Sequence, residues 1–352
     1  MDDFLKKLEH DVIRGLKREF NDIFQKENTS STNLIEELPR YDIDKSQLFP
    51  GSVFDSHCHL DFISNRRMRK HSAFSIQDCF VADGLNLGKM FGGCVTNFCD
   101  PADWCEVDNK SWRPRSKVLK EAMKDNRVFI TVGCHPHFAD RFTGLEIEQL
   151  YGIVKTKTSN SSLVAIGECG LDYSRKNTVD RKVQEKVFSH QLKLAIQFQL
   201  PLVLHIRDAE FDALRIMRKV GVPPDWPIHR HCFTGDWPSA ASWLNDFPGS
   251  KIGVTGIVTY QDSKSVHNMV RNIPLEKLIL ETDAPYFLPA KLRTTNLWGN
   301  CALPGHVIHV AAQVASLKKI ELRTVLEQNI MNVYDVYKIR KHGASSNLCD
   351  SD

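Results

Sequence analysis

The chain has 352 residues, 42% of them hydrophobic and 25% charged, with a net charge of +3. These values suit an ordinary globular chain with a sizeable core and exclude disorder along its whole length. They do not point to a nucleic-acid partner by themselves, because phosphate binding depends on local basic patches and not on a small total. Ten cysteines occur without a Cys-x-x-Cys pair. That pattern suits reduced thiols inside the cell, in nucleus or cytoplasm. No run of eighteen apolar residues is present, and the chain opens on Asp2 and Asp3 instead of a basic segment leading into an apolar one. Neither a membrane span nor a secretory signal is expected.

In chain order, Leu5, Leu8, Val12, Leu16, Phe20, Ile23 and Phe24 recur at spacings of three and four among charged residues. They predict an amphipathic helix over residues 3–26, packed as an appendage. A Ser/Thr/Asn-rich stretch over 27–33 then leads into the main domain. The expected organisation is helix and linker over 1–50, one barrel domain over 51–340 and a disordered tail over 341–352. From residue 52 eight short apolar runs recur: Val53 to Asp55, Cys94 to Asn97, Val128 to Val132, Val164 to Gly167, Pro201 to His205, Ile228 to His231, Lys251 to Val254 and Leu278 to Glu281. Most are followed by a helical stretch. Alternating strands and helices imply an α/β fold with parallel pairing, and eight units are the number that closes a (β/α)8 TIM barrel, here with an N-terminal helical extension. His306 to Leu317 and Leu322 to Tyr337 read as closing helices.

Catalytic groups of such barrels project from the C-terminal ends of the strands. The first run ends in Asp55-Ser-His57-Cys-His59, whose two-residue spacing puts both imidazoles on one face of an extended chain. The fourth ends in Glu168, the fifth in His205, the sixth in His231 and the eighth in Glu281-Thr-Asp283. Each group alone also suits a capping, salt-bridge or core role. Together, four imidazoles and two carboxylates converging on one mouth point to a metal site. A bridging carboxylate holds two ions about 3.5–4 Å apart, and a bound ion lowers the pKa of its water to about 7, as phosphodiester hydrolysis at neutral pH requires. Asp283 is positioned to orient that water and accept its proton. His229 is assigned the opposite face of its strand from His231 and a structural role.

Gly133-Cys-His135-Pro-His137 follows the third run, and His135 is read as a substrate contact. Arg207 suits either a phosphate or its neighbour Asp208. The loop after the first run carries Arg66, Arg67, Arg69 and Lys70, a basic cluster suited to a phosphate backbone, and Trp104 and Trp112 in the next loop suit stacking on unpaired bases.

These motifs resemble the TatD family of metal-dependent deoxyribonucleases, over roughly residues 52–338. They are Asp55-Ser-His-Cys-His59, Gly133-Cys-His-Pro-His137, Ile166-Gly-Glu-Cys-Gly-Leu-Asp172, Leu204-His-Ile-Arg-Asp-Ala209, His231-Cys-Phe-Thr-Gly235 and Glu281-Thr-Asp-Ala-Pro-Tyr286. The resemblance implies that His57, His59, Glu168 and Asp283 hold one ion while Glu168, His205 and His231 hold the other. It further implies dependence on Mg²⁺, Mn²⁺ or Zn²⁺ and nuclease activity on DNA or RNA, often from the 3′ end of single strands. Two departures fall near the expected mouth. Asn300-Cys-Ala-Leu-Pro-Gly305 replaces an Arg-Asn-Glu-Pro-like motif, and Ala290 stands where relatives carry Arg. The alternatives are a barrel amidohydrolase or small phosphoesterase, whose binuclear sites often bridge with a carboxylated lysine in place of Glu168, and a nucleic-acid-binding adaptor without catalysis.

Overall fold

The computed structural model describes residues 38, 40–68, 77, 81–82, 85–103, 106–108, 111–113, 116–155, 162–293 and 301–339, with backbone only at 67–68, 81–82, 85–86, 106–108 and 111–113. The helix expected over 3–26 and the tail over 341–352 lie outside them.

Eight strands form one sheet: β1 (Val53–Cys58), β2 (Phe91–Phe98), β3 (Val128–Val132), β4 (Leu163–Asp172), β5 (Leu202–Arg207), β6 (Ile228–Arg230), β7 (Ser250–Val254) and β8 (Leu278–Leu280). They pair in chain order, and every pair is parallel. The sheet closes where Cys58 bridges Ala284 and the backbone N–H groups of Asp283 and His59 donate to His57 and Ala284 carbonyls at 2.9 and 2.7 Å. Helices α1 (Leu60–Met68), α2 (Lys117–Ala122), α3 (Gly144–Lys155), α4 (Arg181–Phe198), α5 (Glu210–Val220), α6 (Trp237–Asp246), α7 (Lys264–Asn272), α8 (Val307–Lys318) and α9 (Leu322–Tyr337) account for the intervening and closing stretches. Among the described residues no helix is long and apolar enough to cross a membrane.

All eight expected strands are present, with two instructive shifts in their ends. β1 continues to Cys58, so His57 lies within it. β4 runs five residues past Gly167, the expected end. Gly167 lies at φ +149°, and a Cβ there would sit 2.6 Å from the Val203 carbonyl oxygen. The missing side chain lets β4 press against β5 and continue instead of ending.

The interior has two apolar compartments. The larger lies between the strands and the helices around them. The smaller fills the barrel floor, where Phe54, Val95, Ala165, Val203 and Ile279 meet Val333, Val336 and Tyr337 from the end of α9. Helix α9 also pins the seam of the barrel. Leu280 N–H donates to Asn329 Oδ1 at 2.8 Å, and Asn329 Nδ2 donates to the Phe54 carbonyl at 3.0 Å, so one side chain joins β8 to β1.

Candidate metal centre

Above the apolar floor the inward-facing positions turn polar. His57 Nε2 lies 3.2 Å from His59 Nε2, 3.5 Å from Glu168 Oε2 and 3.6 Å from Asp283 Oδ1. His59 Nε2 lies 3.4 and 3.3 Å from the same two oxygens. Donors about 2.0–2.2 Å from a central ion at tetrahedral corners stand about 3.3–3.6 Å from one another. The four atoms come from three strand ends and keep that spacing, so the residues fit a divalent cation. All four are buried.

The other oxygen of Glu168 faces a second group. Oε1 lies 2.8 Å from His231 Nε2, 2.9 Å from His205 Nδ1 and 3.6 Å from His135 Nε2, and the His205 and His231 nitrogens are 3.2 Å apart. One carboxylate thus serves two donor clusters with separate atoms. This is the arrangement a bridging ligand requires.

The far sides of the rings are fixed by the scaffold. His59 Nδ1 faces the Asn97 carbonyl at 3.0 Å, which holds the hydrogen there and leaves the Nε2 lone pair for a ligand role. His205 Nε2 faces Asp172 Oδ2 at 3.3 Å, and the same oxygen takes His137 Nε2 at 2.8 Å. Asp55 is not a donor to the site. It accepts from Thr282 N–H and Oγ1 at 2.9 and 2.5 Å, tying the Asp283 segment to β1. Asp283 itself adopts φ +52°, a left-handed conformation that Asp tolerates better than most residues.

Charge states follow from this packing. Burial disfavours the charged imidazoles of His59 and His205, yet their carboxylate partners prevail and raise both to about 9. His135 and His231 are driven well below the usual histidine range by burial. Burial penalises the Glu168 carboxylate too, but the His231, His135 and His205 imidazoles around Oε1 hold it well below the usual carboxylate range. Asp172 is likewise depressed, with the His137 and His205 hydrogen bonds outweighing its burial. Glu168 and Asp172 are therefore ionised, and a bound cation would displace the extra proton from His59 and His205, whose neutral rings complete the donor set.

One layer deeper, His229 and Glu281 form a second buried pair. Residues two apart on a strand share a face, so His229 projects inward below His231, contrary to the opposite face expected. Its Nδ1 donates to Tyr337 Oη at 2.7 Å, and that hydroxyl donates to the Ser56 carbonyl at 3.0 Å. Its Nε2 lies 2.9 Å from Glu281 Oε2, while Glu281 Oε1 accepts from Cys232 N–H at 2.6 Å. Burial raises Glu281 to about 8 and lowers His229 to about 3, so both are neutral at pH 7. Gly253 leaves the space, since a Cβ there would approach His229 Nε2 to 2.7 Å.

The structure brings His57, His59, Glu168, His205, His231 and Asp283 together and adds His135 to their edge. Arg66 reaches the same mouth, where Nη1 donates to the Pro285 carbonyl at 2.8 Å and the guanidinium lies 5.4 Å from the Tyr286 ring centroid. Arg69 and Trp104 lie outside the described residues, as do the side chains of Arg67 and Trp112. Arg207 ends β5, and near it Lys176 is lowered to about 7, first by burial and then by the Arg207 charge. Sequence reasoning assigned no role to Asp172, Glu281 or Lys176. Asp172 was findable, because it follows Glu168 by four residues on one strand and so shares its face.

The family of TatD-related DNases matches residues 54–338. The human 3'-5' RNA nuclease TATDN2 is 36% identical over 302 residues, covering 84% of this chain but 36% of its own length, so the chain spans about a third of that relative. The 3'-5' ssDNA/RNA exonuclease TatD of Erwinia tasmaniensis is 33% identical over 213 residues, 59% of this chain and 78% of that protein. The crystal structure of YJJV, a TatD homolog from Escherichia coli K12, superposes with a TM-score of 0.65 at 22% identity, covering 82% of this chain and 99% of that one. The eight-stranded barrel is thus a shared fold, and the match over most of the chain decides the rest: this protein belongs to the TatD-related DNase family.

Proposed function

We propose that the chain is a divalent-metal-dependent nuclease that hydrolyses phosphodiester bonds of single-stranded DNA or RNA, cutting from the 3′ end with two ions, Mg²⁺, Mn²⁺ or Zn²⁺. The observation that carries this reading is the division of Glu168, with Oε2 turned to His57, His59 and Asp283 and Oε1 turned to His205 and His231. His57, His59, Glu168 and Asp283 hold one ion, and Glu168, His205 and His231 the other. Bound ions supply a water of lowered pKa and neutralise charge on the phosphate. Asp283, whose Oδ1 belongs to the first donor group, would orient that water and take its proton. His135, at the edge of the second group, and Arg207 meet the scissile phosphate. Arg66, Arg67 and Arg69 guide the strand across the rim, with Arg66 already placed at Pro285 and Tyr286. The names of both the human and the Erwinia relatives support the 3′ to 5′ direction, and that of the Erwinia relative supports a single-stranded substrate.

The test is cleavage of end-labelled single-stranded and duplex DNA and RNA by metal-stripped protein, with Mg²⁺, Mn²⁺ or Zn²⁺ restored separately. A ladder shortening from the 3′ end with a restored ion is expected. Absence of cutting with every ion, in folded protein that binds metal, sinks the nuclease reading.

A further inference from the structure

Helices α4 and α5 follow β4 and β5, so both begin at the mouth and descend the outer wall of the barrel. Arg215 on α5 staples them together, with Nη2 2.8 Å from Glu185 on α4 and 2.8 Å from Asp212 on its own helix. Between them runs an open groove of about 390 Å³, whose lining includes Lys182, Lys186 and Lys193 from α4 and Lys219 from α5. All four lysines are exposed. Among the described residues none of the four has a carboxylate within ion-pair distance, and the one acid lining the groove, Glu185, is taken by Arg215. Lys182 and Lys186 are like charges four residues apart, an arrangement that opposes helix formation. The series therefore does not serve the helix. The His190 imidazole beside it is held below its usual range, by burial first and then by the Lys193 and Lys186 charges.

At the mouth end stands an aromatic ring in water. Phe211 is 81% exposed, the most of any large apolar residue among those described. Phe211 precedes Arg215 by one turn of α5, so the ring stands beyond the edge of the groove at its mouth end without lining it. A basic track headed by a stacking ring is how proteins hold single strands without reading their sequence. Eleven residues of helix separate Lys182 from Lys193, about 16 Å of rise. That length matches about four to five stacked nucleotides at about 3.4 Å each.

We propose that the α4/α5 groove is a docking track for single-stranded nucleic acid, with one base stacked on Phe211 at the rim and the phosphates beyond it laid along Lys182, Lys186, Lys193 and Lys219. Its direction, towards the metal centre, rests on the nuclease reading, while its capacity to hold a polyanion does not. Fluorescence anisotropy of the full chain in EDTA, with labelled oligo(dT) and oligo(U) of 4 and 16 nucleotides across a salt series, reads binding without cutting. Wild type binds the 16-mer, long enough to span the mouth and the track together, at least about 10-fold more tightly than the 4-mer, which can occupy only one of them at a time. In K182Q/K186Q/K193Q/K219Q the 16-mer advantage disappears, and the slope of log affinity against log salt falls by about 2–3, at about 0.7 per lost phosphate contact. In F211A the 16-mer weakens by about 5- to 100-fold with the slope unchanged. If the quadruple variant fails to fold, K182Q/K186Q and K193Q/K219Q each show about half of the slope change. A folded variant with wild-type affinity and slope for the 16-mer, or wild type without a length preference, overturns the track. Cleavage is read separately: length-dependent binding with no cutting under any ion removes the nuclease reading and leaves the groove, and cutting without length-dependent binding does the reverse.

Discussion

The floor of the barrel and its mouth are built on the same strands, two residues apart. On β2 the inward side chain changes from Val95 to Asn97 and on β5 from Val203 to His205, while past the end of β8 Ile279 gives way first to Glu281, in the layer between, and then to Asp283 at the mouth. The lower set packs against Val333 and Val336 and requires no polar partners. The upper set places imidazoles and carboxylates within 3 to 4 Å of one another at nearly complete burial, where each needs a partner or a cation. The floor holds the strands together so that the mouth can carry an arrangement that contributes little to stability. Substitutions in the two layers should therefore separate stability from metal binding.

The largest expected effect is at the mouth. Glu168→Gln removes the charge shared by both donor groups, so elemental analysis should find metal per chain falling toward zero and cleavage falling by more than about 10³-fold. Wild-type metal content in that variant would break the comparison. At the floor, Phe54→Ala should cost about 3–5 kcal/mol in denaturant unfolding while folded protein keeps its full metal content. Metal loss without lost stability would show that the layers are not independent. Asp172→Asn frees the far nitrogen of His205, and a chelator competition should show metal affinity lower by about 10- to 100-fold. Tyr337→Phe sharpens the comparison, because that hydroxyl links floor to mouth through His229. About 1–3 kcal/mol of stability should be lost, with metal affinity changed less than in Asp172→Asn.

The smallest effect is a pH dependence at the rim. Burial and the neighbouring Asp61 carboxylate raise Asp103 to about 8, against about 3.9 in the unfolded chain. Between those values the folded protein retains a proton that the unfolded chain has lost, so this group's contribution falls as pH rises from about 4 to about 8. Melting temperatures of Asp103→Asn should gain on wild type across that window and hold a constant difference above it. A gap that does not vary with pH would refute the assignment.

Much of this was legible in the sequence because barrels put chemistry at strand ends. The eight apolar runs mark the strands, and the polar residues that terminate them include all six members of the two donor groups. Ends were harder to read than elements. Placing the end of β4 at Gly167 concealed Asp172, because a glycine that lets two strands press together looks the same in sequence as one that stops a strand. Glu281 was visible beside Asp283, but its pairing with His229 depends on a layer below the mouth and on the space left by Gly253. The lysines of the α4/α5 groove belong to helices separated by β5, and only packing gathers them.

The clasp made by Asn329 also sets an order in time. It follows Phe54, whose carbonyl it holds, by 275 residues. At about 5–20 residues per second, ribosomes deliver it about 14–55 s after the strand that carries His57 and His59. Until then β8 and β1 lack the brace from α9 and rely on their direct contacts, Cys58 with Ala284 and Asp283 with His57. A metal centre built this way gains its last brace only after Asn329 has been made.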